Sequence, residues 1–416
     1  MKISVAGIIA EYNPFHKGHF CLIEEVKKAG ATHIAAVMSG NFIQRGGPAM
    51  ISKFVRAQAA VASGADLVLE LPLPFAMSTA QTFARAGIFL LGALGCVDRL
   101  AFGSESGDIA ALEQAARILG TPECSAKIKE HLKKGIPYAA ARQEAFALLA
   151  GEPAASLLSG PNNTLGIEYL TALHDSRLPM KVFSMKRQGP GHDSMAAREG
   201  TASGSLLRKL LLEKGIHALL PYVPEKAFQW YREGAGKTLP CIEKRLELAV
   251  LSSLRRMDRE AFARLPDISE GLDARIYNSV RHAVSLEGLL AAVKTKRYPM
   301  SRIRRIIWSA FLGVPAGLSQ KAPPYLRILA MNRRGREILA QASPSLPLSA
   351  SLRDLERLGG DCAVFSRLEA RAGDLYALGL PEPMPCGTDY TYRVCPLNVP
   401  PAVQGCGQQE GTQHHA

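Results

Sequence analysis

The sequence lacks what would mark a membrane protein. In its 416 residues no apolar run approaches the roughly 18 to 20 residues that a membrane span needs. The longest tempting run, residues 86–97, is too short and is expected to form a buried helix. The first ten residues mimic a signal peptide weakly, with one Lys before an apolar stretch. Glu11 ends that stretch and no small-residue cleavage site follows, so a first strand is expected there. These absences predict no membrane partner and a cytoplasmic location.

Paired cysteines are also missing. Cys21, Cys96, Cys124, Cys241, Cys362, Cys386, Cys395 and Cys406 include no C-x-x-C, the spacing that zinc sites usually show. A site built from Cys386, Cys395, Cys406 and His414 or His415 is the one conceivable exception. Reduced cytosolic thiols are the simpler reading, and no metal ligands are assigned. Acidic residues are the other shortage. There are 37 Asp and Glu against 50 Lys and Arg, giving a formal charge of +13 and a pI near 9.4. That balance favours a polyanionic partner, with a merely basic surface as the alternative. Hydrophobic residues make up 47% and the mean hydropathy is +0.02, as expected of a globular chain with a real core. The length suggests two or three domains.

What is present begins with alternation. Apolar, β-branched segments at 2–10, 33–38, 66–71 and 97–102 read as strands. Between them 19–29, 52–63 and 79–94 read as helices, with Ser52 placed as a cap. Such alternation predicts an α/β domain with a doubly wound parallel sheet. Residues 112–149 read as mainly helical with a break at Gly135-Ile136-Pro137. A helix at 165–174, a strand at 180–185, a loop at 186–204 and a helix at 205–214 follow. No further sheet strand is evident. Residues 1–215 are therefore assigned to a catalytic domain and 216–345 to a helical, basic domain. Residues 346–416 are expected to be irregular and Pro-rich, with a disordered tail from 405. There is no internal repeat.

The chemistry is concentrated at Asn13-Pro14-Phe15-His16-Lys17-Gly18-His19, directly after the first strand. A strand-to-helix turn offers free N–H groups and a partial positive charge, which suit phosphate. Gly18 permits close backbone approach. His16 and His19, three apart, can converge on one site and stabilise charge at an α-phosphate and its leaving pyrophosphate. The same pair could ligate a metal or be ordinary loop histidines. Lys53 and Arg56, one turn apart, could face phosphates or RNA, a solvated helix face being the plainer reading for at least one. Glu11, Asp66 and Glu70 sit near strand ends without forming an evident magnesium cluster.

The stretch Gly7-Ile8-Ile9-Ala10-Glu11-Tyr12-Asn13-Pro14-Phe15-His16-Lys17-Gly18-His19 closely resembles the bacterial tRNA(Met) cytidine acetate ligases, which are HIGH-motif nucleotidyltransferases. The resemblance continues at Val37-Met38-Ser39-Gly40-Asn41-Phe42-Ile43-Gln44-Arg45-Gly46 and Gly64-Ala65-Asp66-Leu67-Val68-Leu69-Glu70-Leu71-Pro72. It recurs at Phe102-Gly103-Ser104-Glu105 and Pro161-Asn162-Asn163-Thr164-Leu165-Gly166. It implies a Rossmann-like domain that uses ATP, with Mg2+, to activate acetate as acetyl-adenylate. The acetyl group then passes to N4 of the wobble cytidine of elongator tRNA(Met). It implies ATP contacts along Gly7 to Phe20, at Gly103, at Asn162 or Asn163, and at Arg187 and Gln188 beside Lys186. His16 and His19 are the implied catalytic pair.

Relatives of this type often carry a second signature, I-S-S-T-x-I-R. Here the matching stretch is Ala202-Ser203-Gly204-Ser205-Leu206-Leu207-Arg208, with Ala202 for the first Ile, Gly204 for the second Ser and Ser205 for the Thr. Ser203, Ser205 and Arg208 are its candidate phosphate contacts, Ser205 being equally readable as a plain helix cap.

Basic residues cluster late: Arg255, Arg256 and Arg259; Lys294, Lys296, Arg297, Arg302, Arg304 and Arg305; Arg333, Arg334 and Arg336. The middle group, with Tyr298 and Trp308 nearby, is the candidate tRNA surface, since cations neutralise phosphates and aromatics stack on unpaired bases. Trp308 is expected in the core. Two other readings compete. A small-molecule adenylyltransferase would share H-x-G-H but leave the basic half unexplained. A catalytically idle RNA-binding protein would not need His16 and His19.

Overall fold

The computed structural model describes residues 3–187, 200–269 and 271–394. Seven strands form one sheet: β1 Val5–Ala10, β2 His33–Ser39, β3 Leu67–Leu71, β4 Arg99–Ser104, β5 Lys181–Lys186, β6 Leu326–Met331 and β7 Leu348–Ser349. Their order is β5-β4-β1-β2-β3-β6-β7, and all pairings are parallel except β3 with β6. The chain runs outward through β1, β2 and β3, then returns to place β4 on the other side of β1. Beyond the carboxyl ends of β1 and β4 lies the topological switch point, where open α/β sheets bind ligands.

The helices that matter below are α1 Lys17–Lys28, α2 Lys53–Ala62, α3 Ala80–Ala93, α4 Pro161–Ser176, α5 Gly204–Lys214, α6 Glu225–Gly234, α7 Glu243–Arg255, α8 Met300–Leu312 and α9 Gly360–Ala377. Strand residues alternate between two cores, one on each face of the sheet. Val5 and Ile9 of β1 join the core under α3 and α4, while Ala6 and Ile8 join the one under α1 and α2. Gly7 belongs to this packing. A Cβ there would sit 2.7 Å from Leu91 Cδ1 of α3.

Caps stand where the residue types invite them. Ser52 accepts from the Val55 N–H, and Thr79 from the Thr82 N–H. No helix among the described residues is long and apolar enough to cross a membrane. The break at 135–137 is present, and a second one at Thr121–Pro122 divides the helical region once more.

Two expectations need correction. The sheet does gain strands late in the chain, because β6 pairs antiparallel with β3, and β7 pairs parallel with β6. Residues 346–394 are also not irregular: they include the 18-residue helix α9. Both errors trace to burial of charge, described below. The tail from 405, with Cys395, Cys406, His414 and His415, lies outside the described residues.

Candidate active site

The H-x-G-H motif builds its own helix start. His16 is the N-cap of α1 in extended backbone, and its Nδ1 accepts the Gly18 N–H at 3.0 Å. The His16 N–H in turn donates to His19 Nδ1 at 3.2 Å, which completes a capping box made of imidazoles. The two rings stack with centroids 3.8 Å apart and planes 23° from parallel. Because each Nδ1 accepts a backbone N–H, each neutral ring carries its proton on Nε2. The motif thus offers two N–H donors beside a positive helix end. Gly18 is required by this arrangement: a Cβ would lie 2.9 Å from His16 Cε1.

These rings line a cleft at the switch point. One wall is the β1–α1 segment: Ile8, Ile9, Ala10, Glu11, Tyr12, Asn13, Pro14, His16, Gly18 and His19. The facing wall brings Phe102 and Gly103 from β4, Asn162, Leu165 and Tyr169 from α4, and Arg187 just after β5. Gly204 and Arg208 of α5 close one end, joined by Gln44 and Arg45 from the β2–α2 loop and Phe83 from α3. Tyr12 OH, Asn13 Nδ2 and Gln44 Nε2 are buried in this wall with no hydrogen-bond partner among the described residues. Native structures rarely leave buried polar atoms so, and three around one cleft suit a polar ligand. Burial pushes the Tyr12 phenol up, so it stays a proton donor. Burial lowers the Arg187 guanidinium, with Glu105 opposing, yet the group stays cationic near neutral pH.

Of the residues singled out from sequence, Ile8 to Pro14, His16, Gly18, His19, Gly103, Asn162, Arg187 and Arg208 line the cleft. Gly7, Phe15, Lys17, Phe20, Asn163, Ser203 and Ser205 are not among its lining residues. Phe15 is fully buried, and its N–H donates to the Tyr231 hydroxyl of α6 at 2.9 Å. The Lys17 N–H donates to the Tyr222 carbonyl. Phe20 packs at the edge of the core under α1. Gln188 lies outside the described residues.

The two asparagines have different jobs. Helix α4 begins at Pro161, so neither is its cap. Glu105 supplies the cap from a distance, accepting the Asn162 N–H at 3.1 Å and the Asn163 N–H at 2.6 Å. The Asn162 side chain also donates to Glu105 and lines the cleft. Asn163 turns away, buried, and accepts the Ser106 N–H.

In the second signature, Ser203 is the cap of α5, accepting the Leu206 N–H at 3.0 Å, and Ser205 is not. Arg208 donates to the Asn13 carbonyl at 3.0 Å and to Ser205 Oγ at 3.0 Å. It therefore ties the two signatures together. Sequence reasoning passed over Gln44, Arg45, Phe83, Leu165, Tyr169 and Met185 as lining residues. Gln44, Arg45 and Leu165 stood in recognisable blocks; Phe83, Tyr169 and Met185 carry no local signal.

Lys53 and Arg56 correct the picture of a solvated helix face. Both are fully buried. Arg56 donates to the carbonyls of Glu11, Gly40 and Ile51, stapling the loop behind the cleft. Lys53 joins Glu70, Asp389, Glu369 and Arg327 in a buried ionic cluster. Glu70 is thereby committed. Asp66 accepts the Ile34 N–H and the Asn332 amide at the opposite end of β3.

The late basic groups are mostly engaged within the chain. Arg302 donates to the Asp267 carbonyl and Ser269, Arg305 to Asp267, and Arg304 to the Gly46 carbonyl and Glu243. Lys294 Nζ donates to the Thr295 and Tyr298 carbonyls, while Lys296 and Arg297 are exposed. Trp308 is in the core, as expected.

Residues 1–386 match the model of the HIGH nucleotidyl transferase family. A protein of Alkaliphilus metalliredigens named tRNA(Met) cytidine acetate ligase is 37% identical over 402 residues, covering 90% of this chain and 94% of the relative. One of the same name from Caldanaerobacter subterraneus subsp. tengcongensis is 36% identical, covering 89% and 94%. Two crystal structures of Thermotoga maritima TmcAL superpose well. The apo form has a TM-score of 0.87 at 31% identity, and the form bound with α-thio ATP 0.85 at 32%. Each superposition covers 94% of this chain and 98% of the other. The chain belongs to the HIGH nucleotidyl transferase family, in the company of its tRNA(Met) cytidine acetate ligases.

Proposed function

We propose that the protein activates acetate with ATP and transfers the acetyl group to N4 of the wobble cytidine of elongator tRNA(Met). The observation that carries this is the cleft, where three cations and two imidazole N–H donors face a switch point whose buried polar atoms want partners. The relatives' names supply the substrates, and the α-thio ATP complex of the Thermotoga protein supports the nucleotide.

In this reading His16 and His19 donate through Nε2 to the phosphates, with Arg187, Arg45 and Arg208 adding charge. Asn162 and Gly103 face the nucleoside end. An acetate oxygen attacks the α-phosphorus, the bond to the β-phosphate breaks and pyrophosphate leaves. The cytidine amine then attacks the acetyl carbon, the carbon–oxygen bond to phosphate breaks and AMP departs with that electron pair. The amine gives up one proton. Magnesium would enter with the phosphates. Among the described residues no three His, Cys, Asp or Glu side chains gather to hold it, and Glu11, the one acid lining the cleft, already accepts the Gln44 N–H. No step is assigned to it. Functionally, residues 1–215 carry the nucleotide and 216–345 face the RNA, although β6 of the latter segment belongs to the catalytic sheet.

A small-molecule adenylyltransferase would need no RNA. The test is incubation with ATP, labelled acetate and tRNA. Label should appear in cytidine, and acetate should drive exchange of labelled pyrophosphate into ATP. His19→Ala should lower that exchange by about 100-fold or more, the usual loss of a charge-stabilising donor, while tRNA binding persists. Unlabelled RNA together with acetate-independent exchange would overturn the reading.

A further inference from the structure

A second pocket lies directly behind the nucleotide cleft. The two share Asn13, Arg45 and Arg208, so only the motif loop and the turn at 43–47 separate them. That turn is a rigid partition. The Gly46 N–H donates to the Ile43 carbonyl and the Ile43 N–H to the Gly47 carbonyl. Gly46 and Gly47 have φ of 81° and 144°, a region closed to most side chains. A Cβ on Gly46 would sit 2.5 Å from the Arg305 backbone nitrogen, so α8 bears on the turn directly. Arg304 pins it by donating to the Gly46 carbonyl at 2.7 Å, and Glu243 of α7 orients that guanidinium.

The lining of this pocket has two chemistries. Ile43, Met50 and Leu212 give it apolar walls. Its charged residues are Arg45, Arg208, Lys244 and Arg304 against a single acid, Glu243. Lys244 and Leu212 are exposed beside it, the Lys244 side chain by 74% and Leu212 by 55%, and Lys244 Nζ pairs with Glu247 of α7 at 2.6 Å, a surface contact that a phosphate can replace. Apolar walls with a cationic rim fit a base and its flanking phosphates better than a protein segment or a free carboxylate. A transfer reaction also needs its acceptor to reach the activated group from a side the nucleotide does not fill.

We propose that this pocket receives the acceptor, an unstacked pyrimidine nucleoside from a single-stranded RNA loop, with its phosphates on Arg45 and Lys244 while Arg304 holds the turn. This rests on the function proposed above. It also relocates the RNA contact from the exposed basic clusters to the seam between α5, α7 and α8 and the 43–47 turn.

The test uses the full chain with Leu212→Trp, which adds bulk to the wall, and Lys244→Ala, which removes a rim cation. Leu248→Trp, on the exposed face of α7, is the control. Binding is read with a fluorescent RNA hairpin carrying an unpaired cytidine in its loop. The two pocket variants should weaken binding and raise the KM for RNA by about tenfold or more, as when one base loses its contacts. Acetate-dependent pyrophosphate exchange without RNA should stay near wild type, and Leu248→Trp should change neither. Wild-type RNA affinity in both pocket variants would overturn the assignment. Absence of acetate-dependent exchange in the wild type would instead overturn the function, while the hairpin measurement still decides the pocket.

Discussion

At the scale of single residues, the site is organised by side chains that hold backbone rather than ligand. His16 and His19 use their Nδ1 atoms to accept backbone N–H groups at the start of α1, which fixes the orientation of both rings. Glu105 does the same for α4, accepting both asparagine N–H groups and also the Asn162 side-chain amide, which it holds at the cleft. This separates the asparagines experimentally. Asn162→Ala should raise the KM for ATP with little change in stability. Asn163→Ala should leave the buried Ser106 N–H without its acceptor and cost about 1–3 kcal/mol. Denaturation midpoints beside ATP kinetics distinguish the two; the reverse pattern would mean that Asn163 is the ligand contact. The sequence alone left this pair undivided, because adjacent residues in one motif share every local signal and differ only in what lies across from them.

At the scale of elements, the first half was legible and the second was not. Strands β1 to β4 are near-continuous apolar runs separated by helical periodicity, so their alternation shows through. Strand β6 reads Leu-Arg-Ile-Leu-Ala-Met, and its second residue, Arg327, looks like a surface residue in a basic region. It is fully buried because Glu70 and Asp389 pair with it from 257 and 62 positions away. Helix α9 was hidden similarly: it opens on the Gly359–Gly360 pair, with Gly359 as its cap, and its Glu369 is buried. Lys53 and Arg56 misled for the same reason, since helical spacing shows which residues share a face but not what covers it. Arg56 carries a prediction here. It supplies donors to three carbonyls that shape the loops flanking the cleft, and burial already lowers its guanidinium. Arg56→Ala should therefore destabilise by about 3 kcal/mol or more, through stranded buried acceptors. Equilibrium denaturation measures it. A loss under about 1 kcal/mol would show that water or rearranged backbone takes over the carbonyls.

At the scale of the whole molecule, the buried ionic cluster is what closes the chain on itself. It joins β3 and α2 from the first half to β6, α9 and Asp389 from the second. Two cations, Lys53 and Arg327, face three carboxyls, and burial penalises any uncompensated charge. Burial would raise Asp389 too, but Lys53 and Arg327 outweigh it and hold that carboxyl below its usual value. Glu369 is the remainder: burial, then the Glu70 carboxylate, pushes it up to about 8. With Glu369 protonated the cluster is neutral. One oxygen of Glu369 also accepts the Leu73 N–H, which a neutral group can still do. The folded-state value lies above the roughly 4.3 of a free glutamate, so the folded chain binds this proton more tightly than the unfolded chain. Stability from the group is full below that lower value and is lost as pH rises towards about 8. The loss should accrue by at most about 1.4 kcal/mol per pH unit across this window and level off above it. Glu369→Gln keeps an acceptor for Leu73 and cannot ionise. Its stability relative to wild type should therefore rise from about pH 5 to pH 8, measured by denaturant unfolding at a series of pH values. A difference that stays constant over that range would assign the cluster's proton to another group.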